Sequence, residues 1–329
     1  MIYLDDSIMQ KGSLATAGSK ILANFTAPFD ATVVRRLTEK CEPVKLAEFG
    51  LGDPGELPGS PLLCNDIFGF VRCRAVRQNL CYIRPSYGTV SRFGLIPVAS
   101  SMDQIGIVCK NPTEGFSLLS AIAGQDENDG AMFPEKSYTY NADVKDIKWS
   151  TLPASGEKGI PASESFAQKF IEKIGKKEKP DSCTVSHADV CRQVLHILSY
   201  AEISNNISRY DGIKFGYRSS NYKGLEDLYT KTRTEAFGLE AKLAALMGCL
   251  ILSQEYYASY YDKAMKIRRL IKESLRFDKY DVIILPDDNP LAVLAGLPSL
   301  TFPYNGTGIQ LVADVKKENI LFSAWEAAQ

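Results

Sequence analysis

Apolar positions recur along this chain at both helical and strand spacing, and the changes between the two outline its elements. Ile2–Ser7 reads as a short strand or turn, and Thr26–Cys41 as a helix. In that helix Ala31, Val34 and Leu37 fall near helical spacing, while Arg35, Arg36, Glu39 and Lys40 line the wet side. Residues 50–62, GLGDPGELPGSPL, hold four glycines and three prolines, too many breakers for an element interior, and read as a loop. Cys81–Ile83 suits a strand, and Thr113–Ile122 a helix with Phe116, Leu119 and Ile122 on one face. From Asn128 to about Glu164 the chain is polar and predicts a flexible or surface connection within a single domain spanning 1–329. Ser165–Ile174 reads as an amphipathic helix stopped by GKKEKPD, and Val190–Ser204 as another. Leu225–Leu275 predicts the longest helical region, in at least two pieces meeting near Gly248. Asp281–Pro286, Leu300–Pro303 and Ile309–Val312 follow as strands, and Asn319–Ala328 closes the chain as a helix. Short apolar strands interleaved with helices predict an α/β architecture.

Composition narrows the function classes. With 329 residues, 45% of them hydrophobic, the chain can bury a large core. Its net charge is −1 and its basic residues form no long run, which argues against autonomous nucleic-acid binding. No apolar stretch approaches the roughly 18–20 residues of a membrane span. The opening MIYLDDSIMQKG carries acid where a secretory signal needs a basic and then an apolar run. Eight cysteines without a CxxC pair fit reduced thiols, and the expected location is cytoplasmic. Two histidines and scattered cysteines give no metal-ligand spacing, and no glycine loop follows a phosphate-binding pattern; neither metal nor cofactor is expected.

SYGTVSRFGLIPVASSMDQIGIVCKNPTEGFSLLSAIAG, residues 86–124, resembles the core of the amidase signature family. The similarity is strongest to the A subunits of glutamyl-tRNA(Gln) amidotransferases. DDSIMQKG near the start, NNISRYDGIKFGYRSSNYKGLEDLYTKTRTEAFGLEAKLAALMGCLILSQEYYASYYDKAMKIRRLI further on, and LAGLPSLTFPYN near the end extend the resemblance over nearly the whole chain. It implies the amidase signature fold, a mixed central sheet flanked by helices, here with shortened active-site loops.

The resemblance also implies a Ser–Ser–Lys centre, because a hydroxyl is a weak nucleophile at neutral pH and needs a positioned base. This sequence departs from that pattern at each position. Asp5 stands at the lysine position, as a turn aspartate exposed beside Asp6. Ser60 is the only hydroxyl in the loop where the second serine belongs. Aligned without gaps from Pro85–Gly88, the nucleophile segment becomes CNDIFGFVR: Asp66, Gly69 and Arg72 match, Phe68 replaces the first oxyanion-hole glycine, and Phe70 replaces the nucleophilic serine. Two rings there are expected to fill the space an amide carbonyl must enter. Cys73, flanked by Arg72 and Arg74, is the fallback nucleophile, since nearby cations favour a thiolate; Cys64 and Cys81 lie close in sequence.

Arg268 matches the arginine that, by resemblance, holds the substrate carboxylate. A planar guanidinium suits that task. The insert that should supply an amine-binding aspartate is missing, although Asp287 and Asp288 remain nearby. These departures predict a catalytically degenerate scaffold or binding protein. The partners the resemblance implies are amidotransferase B- or C-like subunits or an aminoacyl-tRNA synthetase complex, with Arg209, Tyr210 and Tyr217 as candidate interface residues. A diverged amidase with a relocated nucleophile, a sensor of carboxylate-bearing small molecules at Arg268, and a gene product without a selected role are the alternatives.

Overall fold

A computed structural model describes residues 1–152, 170–172 and 181–327. Among the described residues, ten strands form one mixed sheet: β1 (Ile2–Asp5), β2 (Cys41–Val44), β3 (Leu62–Asn65), β4 (Cys81–Arg84), β5 (Ile105–Cys109), β6 (Trp149–Thr151), β7 (Asp181–Ser182), β8 (Val282–Pro286), β9 (Ser299–Tyr304) and β10 (Thr307–Ala313). Their spatial order is β2-β1-β3-β5-β4-β9-β10-β8-β6-β7. β1 runs parallel to β2 and β3, and β6 parallel to β7 and β8; the pairs between β3 and β8 are antiparallel. The central seam is β4 against β9, with Tyr82 opposite Thr301.

Side chains alternate between the faces of a strand, so residues level with one another across strands make a continuous row. One such row is Leu4, Leu63, Ile107, Ile83, Leu300, Leu311 and Ile284, level across seven strands and all buried. Each contributes about 1.5–3 kcal/mol through burial. Helices α1 (Thr32–Arg36), α3 (Pro112–Ile122) and α9 (Glu318–Glu326) contribute to the core on that face. The opposite core gathers α4 (Cys191–Ile207), α6 (Leu239–Ile251), α7 (Lys263–Ser274) and α8 (Leu291–Ala295). α2 (Phe70–Arg77) packs over β4, β9 and β10, and α5 is Gly224–Ala236.

Most expected elements are present, with instructive shifts. The helix expected over Thr26–Cys41 is only Thr32–Arg36, because Leu37 is extended and Cys41 opens β2. Inside the expected 129–164 connection, Trp149–Thr151 is a buried strand and Tyr140 and Ile147 are buried as well. Of the helix expected over Ser165–Ile174, residues 170–172 are helical and the rest lies outside the described residues, as does 175–180 of the charged stop that follows. The long helical region breaks at Phe237–Gly238 and after Ile251, not at Gly248. Gly248 sits inside α6 for a packing reason: a Cβ there would lie 2.1 Å from the Tyr200 carbonyl oxygen on α4.

Candidate functional site

The parallel register of β1 and β3 brings the chemically interesting positions to one end of the sheet. Leu4 is level with Leu63, so Asp5 lies beside Cys64, just before Asn65 and Asp66. Asp5 is buried, which overturns the exposed turn expected for it. Its carboxylate accepts from the Ser7 hydroxyl at 2.7 Å and from the Ser7 backbone N–H at 3.3 Å. Burial pushes the Asp5 pKa up to about 7, against these hydrogen bonds and with the Asp6 charge adding to the rise. Ser60 precedes β3, and its hydroxyl is buried without a hydrogen-bond partner, so no hydrogen bond links it to Asp5.

Asp66 ends the β3 segment and organises the start of α2. Its Oδ1 accepts from the N–H groups of Gly69 (2.9 Å) and Val71 (3.2 Å), and its Oδ2 from that of Arg72 (3.2 Å). Backbone donors at a helix start favour a carboxylate for both charge and hydrogen-bonding reasons. Gly69 has φ 92°, and a Cβ there would lie 2.8 Å from the Arg72 guanidinium, so glycine is required twice over. Arg72 is fully buried and closes the clasp: it meets Asp66 at 3.3 Å and donates to the carbonyls of Asp287 (2.7 Å) and Asn289 (3.0 Å).

A second layer lies beneath. Arg84 donates to the carbonyls of Asp66 (3.3 Å) and Met102 (2.6 Å). Asn65 donates to Asp103 at 2.7 Å, and Asp103 accepts from the N–H groups of Val98 and Ala99.

The two phenylalanines above this floor behave differently. Phe68 is 8% exposed and packs edge-on against His196 at 5.5 Å and against Tyr200 at 6.2 Å. Phe70 is 43% exposed, its ring 6.4 Å from that of Phe68. Only Phe68 fills interior space; the expectation that both rings do so is corrected. Cys73 lies one turn further along α2, where burial raises its thiol to about 12 against the lowering effect of Arg72. Arg72 is committed to the clasp and Arg74 to Asp53, so the flanking cations do not produce a thiolate. Burial raises Cys64 and Cys81 too. Among the described residues, neither His187 nor His196 hydrogen-bonds a hydroxyl or thiol through its ring.

Arg268 is a structural tie in this structure. It donates to the Leu294 carbonyl at 2.7 Å, to the Ser101 hydroxyl at 3.0 Å and to the Ser101 carbonyl at 3.0 Å. Ser101 in turn donates to Glu202 through both its N–H and its hydroxyl. Arg268 thus ties α7 to α8 and, through Ser101, to α4. Asp288 pairs with Arg192 at 2.8 Å, while the half-buried Asp287 gives its carbonyl to Arg72. Tyr210, a candidate interface residue, is buried against Phe49; Arg209 is held by Asn206, and the Tyr217 hydroxyl donates to Glu235.

Two recesses of about 490 and 470 Å³ open elsewhere, one beside Lys272 and Asp314 and one beside Arg77 and Tyr304; neither is lined by Asp5, Phe68, Phe70, Cys73 or Arg268. Among the described residues no group of three or more His, Cys, Asp or Glu side chains converges as a metal site, and no helix is long and apolar enough to cross a membrane.

The profile of the family described as Amidase matches residues 62–307, from β3 into β10. The chain belongs to the amidase family. Within it, the chain is 32% identical to the A subunits of glutamyl-tRNA(Gln) amidotransferase from Listeria monocytogenes and Listeria welshimeri, covering 99% of this chain and 82% of each of those proteins. The aligned region runs over 398 positions, so these relatives carry segments this amidase-family chain lacks. The crystal structure of their Thermotoga maritima counterpart superimposes with a TM-score of 0.72 at 26% identity, over 98% of this chain and 81% of the other. The fold also matches 6-aminohexanoate cyclic dimer hydrolase, with a TM-score of 0.73 at 14% identity over 99% and 83% of the two chains.

The helix start at Phe70 was missed at the level of sequence. Its signal was present: an aspartate three residues before a glycine, with the first turn immediately after it. The Ser101–Glu202 support of Arg268 joins residues about a hundred positions apart and left no local signal.

Proposed function

We propose that this chain is a catalytically silent amidase-family protein that serves as a binding scaffold. The observation that carries the reading is the start of α2. Where the resemblance places a nucleophile, Phe70 stands, and the helix N–H groups of Gly69, Val71 and Arg72 are bound by the Asp66 carboxylate. A phenyl ring supplies no nucleophilic atom. Moreover, a side chain can assist amide cleavage only where it lies within reach of both a base and an open substrate position. Ser7 does meet a carboxylate poised near neutrality, yet its hydroxyl is buried and lines neither recess. The Cys73 thiol stays protonated at neutral pH.

The relatives are named as A subunits of an amidotransferase, which suggests the kind of partner: a complementary chain of a similar complex. The same family architecture supports reading 1–329 as one domain. A small-molecule sensor is less well supported, because Arg268 already spends three donors on protein oxygens. The test is glutaminase and general amidase turnover of the purified chain, alone and with amidotransferase partner subunits, beside Cys73→Ala and Arg268→Ala. Background turnover in every sample is expected. Turnover abolished by Cys73→Ala would overturn the reading and establish a relocated nucleophile.

A further inference from the structure

The outer face of α6 carries the inference, which goes beyond the reading above and holds whether or not the chain cleaves amides. α6 reads LEAKLAALMGCLI, with Glu240 and Lys242 its only charged residues. One face, formed by Ala241, Ala244, Gly248 and Ile251, is buried against α4 and the core behind it. At about 100° per residue, Leu239, Leu243, Leu246 and Leu250 fall within about 60° of one another on the opposite face. All four are exposed, Leu239 by 78% and Leu246 by 71%. A helix that is apolar on both sides belongs in a buried position, and here one side is open.

We propose that a second copy of this chain covers this face, α6 lying antiparallel to α6 across a two-fold axis between Ala244 and Ala245. The spacing of the stripe is four, three, four, and reads the same from either end. A two-fold axis at its midpoint therefore sets Leu243 against Leu246 of the second copy and Leu239 against Leu250, each pair occurring twice. Self-complementarity of this kind is what an isologous interface requires. A stripe repeating every three and four residues is also the seam that packs helices side by side at small crossing angles.

The charges agree. Glu240 and Lys242 sit on opposite flanks of the stripe, and the two-fold axis places neither directly opposite its own copy. The stripe with Met247 presents roughly 500 Å² of surface, so a pair of copies removes about 1,000 Å², the lower bound for a specific interface. The dimer should accordingly be concentration-dependent.

The experiment is sedimentation velocity of the full chain from low to high micromolar concentration. Wild type should shift from monomer to dimer. Leu243→Glu alone and Leu246→Lys alone should each weaken association by about 30-fold or more, as loss of an interface hot spot does. In the double variant Leu243→Glu/Leu246→Lys each new acid faces the new base of the other copy, and association should return. Circular dichroism confirms that each variant is folded; both positions are exposed. A wild type that remains monomeric throughout overturns the proposal. A dimer unaffected by the single substitutions, or not restored in the double, overturns the register.

Discussion

Asp66 and Arg72 lie within six residues of each other and flank Phe68 and Phe70, yet the two pairs obey different rules. The polar pair is buried and saturated: one carboxylate holds three backbone N–H groups and a guanidinium that reaches two further carbonyls. The aromatic pair splits, one ring in the core and the other at the surface. Removing either polar residue would leave a buried charge alone. The aromatic positions make no such demand, and a ring can replace a small residue wherever packing space or open solvent receives it. On the reading proposed above, a scaffold keeps the floor of a site after its chemistry has changed.

Breaking the floor should have the largest effect. Arg72→Met leaves Asp66 without its guanidinium and orphans the carbonyls of Asp287 and Asn289, at a cost of about 3–5 kcal/mol in chemical denaturation. Wild-type-like stability would show that the clasp is not what fixes α2.

Asp5, on the neighbouring strand, gives a pH-dependent test. In the unfolded chain its carboxyl ionises near 4, whereas in the folded chain it holds its proton up to about 7. Stability should therefore fall as pH rises between those values and level off above them. Asp5→Asn should remove that slope, with a gain of up to about 4 kcal/mol at pH 8 and little change at pH 4. Equal effects at both pH values would contradict a buried, protonated Asp5.

The aromatic pair should separate cleanly. Phe68→Ala opens a hole against His196 and Tyr200 and is expected to cost roughly 3 kcal/mol. Phe70→Ala should change stability by less than about 0.5 kcal/mol, since it alters an exposed side chain. Thermal melts of the two variants side by side sharpen the comparison, and similar losses would erase it.

Legibility followed the range of the forces involved. β8, β9, β10 and α3 were readable because their apolar runs are local. β3 and β6 were not, being short segments that become strands only through distant neighbours. At the site, the positions of interest, Asp5, Phe68 and Phe70, were visible in sequence. Their environments were not: the burial of Asp5 depends on β3, and the ties of Arg268 depend on a turn far away in the chain. Cys73 shows the same limit, since adjacent arginines suggested a thiolate and three-dimensional burial decided otherwise.

The seam between β4 and β9 has a consequence for how the molecule forms. Tyr82 must wait for Thr301, so during synthesis the first five strands exist with β4 as an open edge until the last part of the chain emerges. Pairings this distant in sequence slow folding, and an unpaired, apolar strand edge invites the wrong neighbour in the meantime. Recovery of soluble protein should then depend on temperature and chaperone supply during expression more than the stability of the finished sheet would suggest.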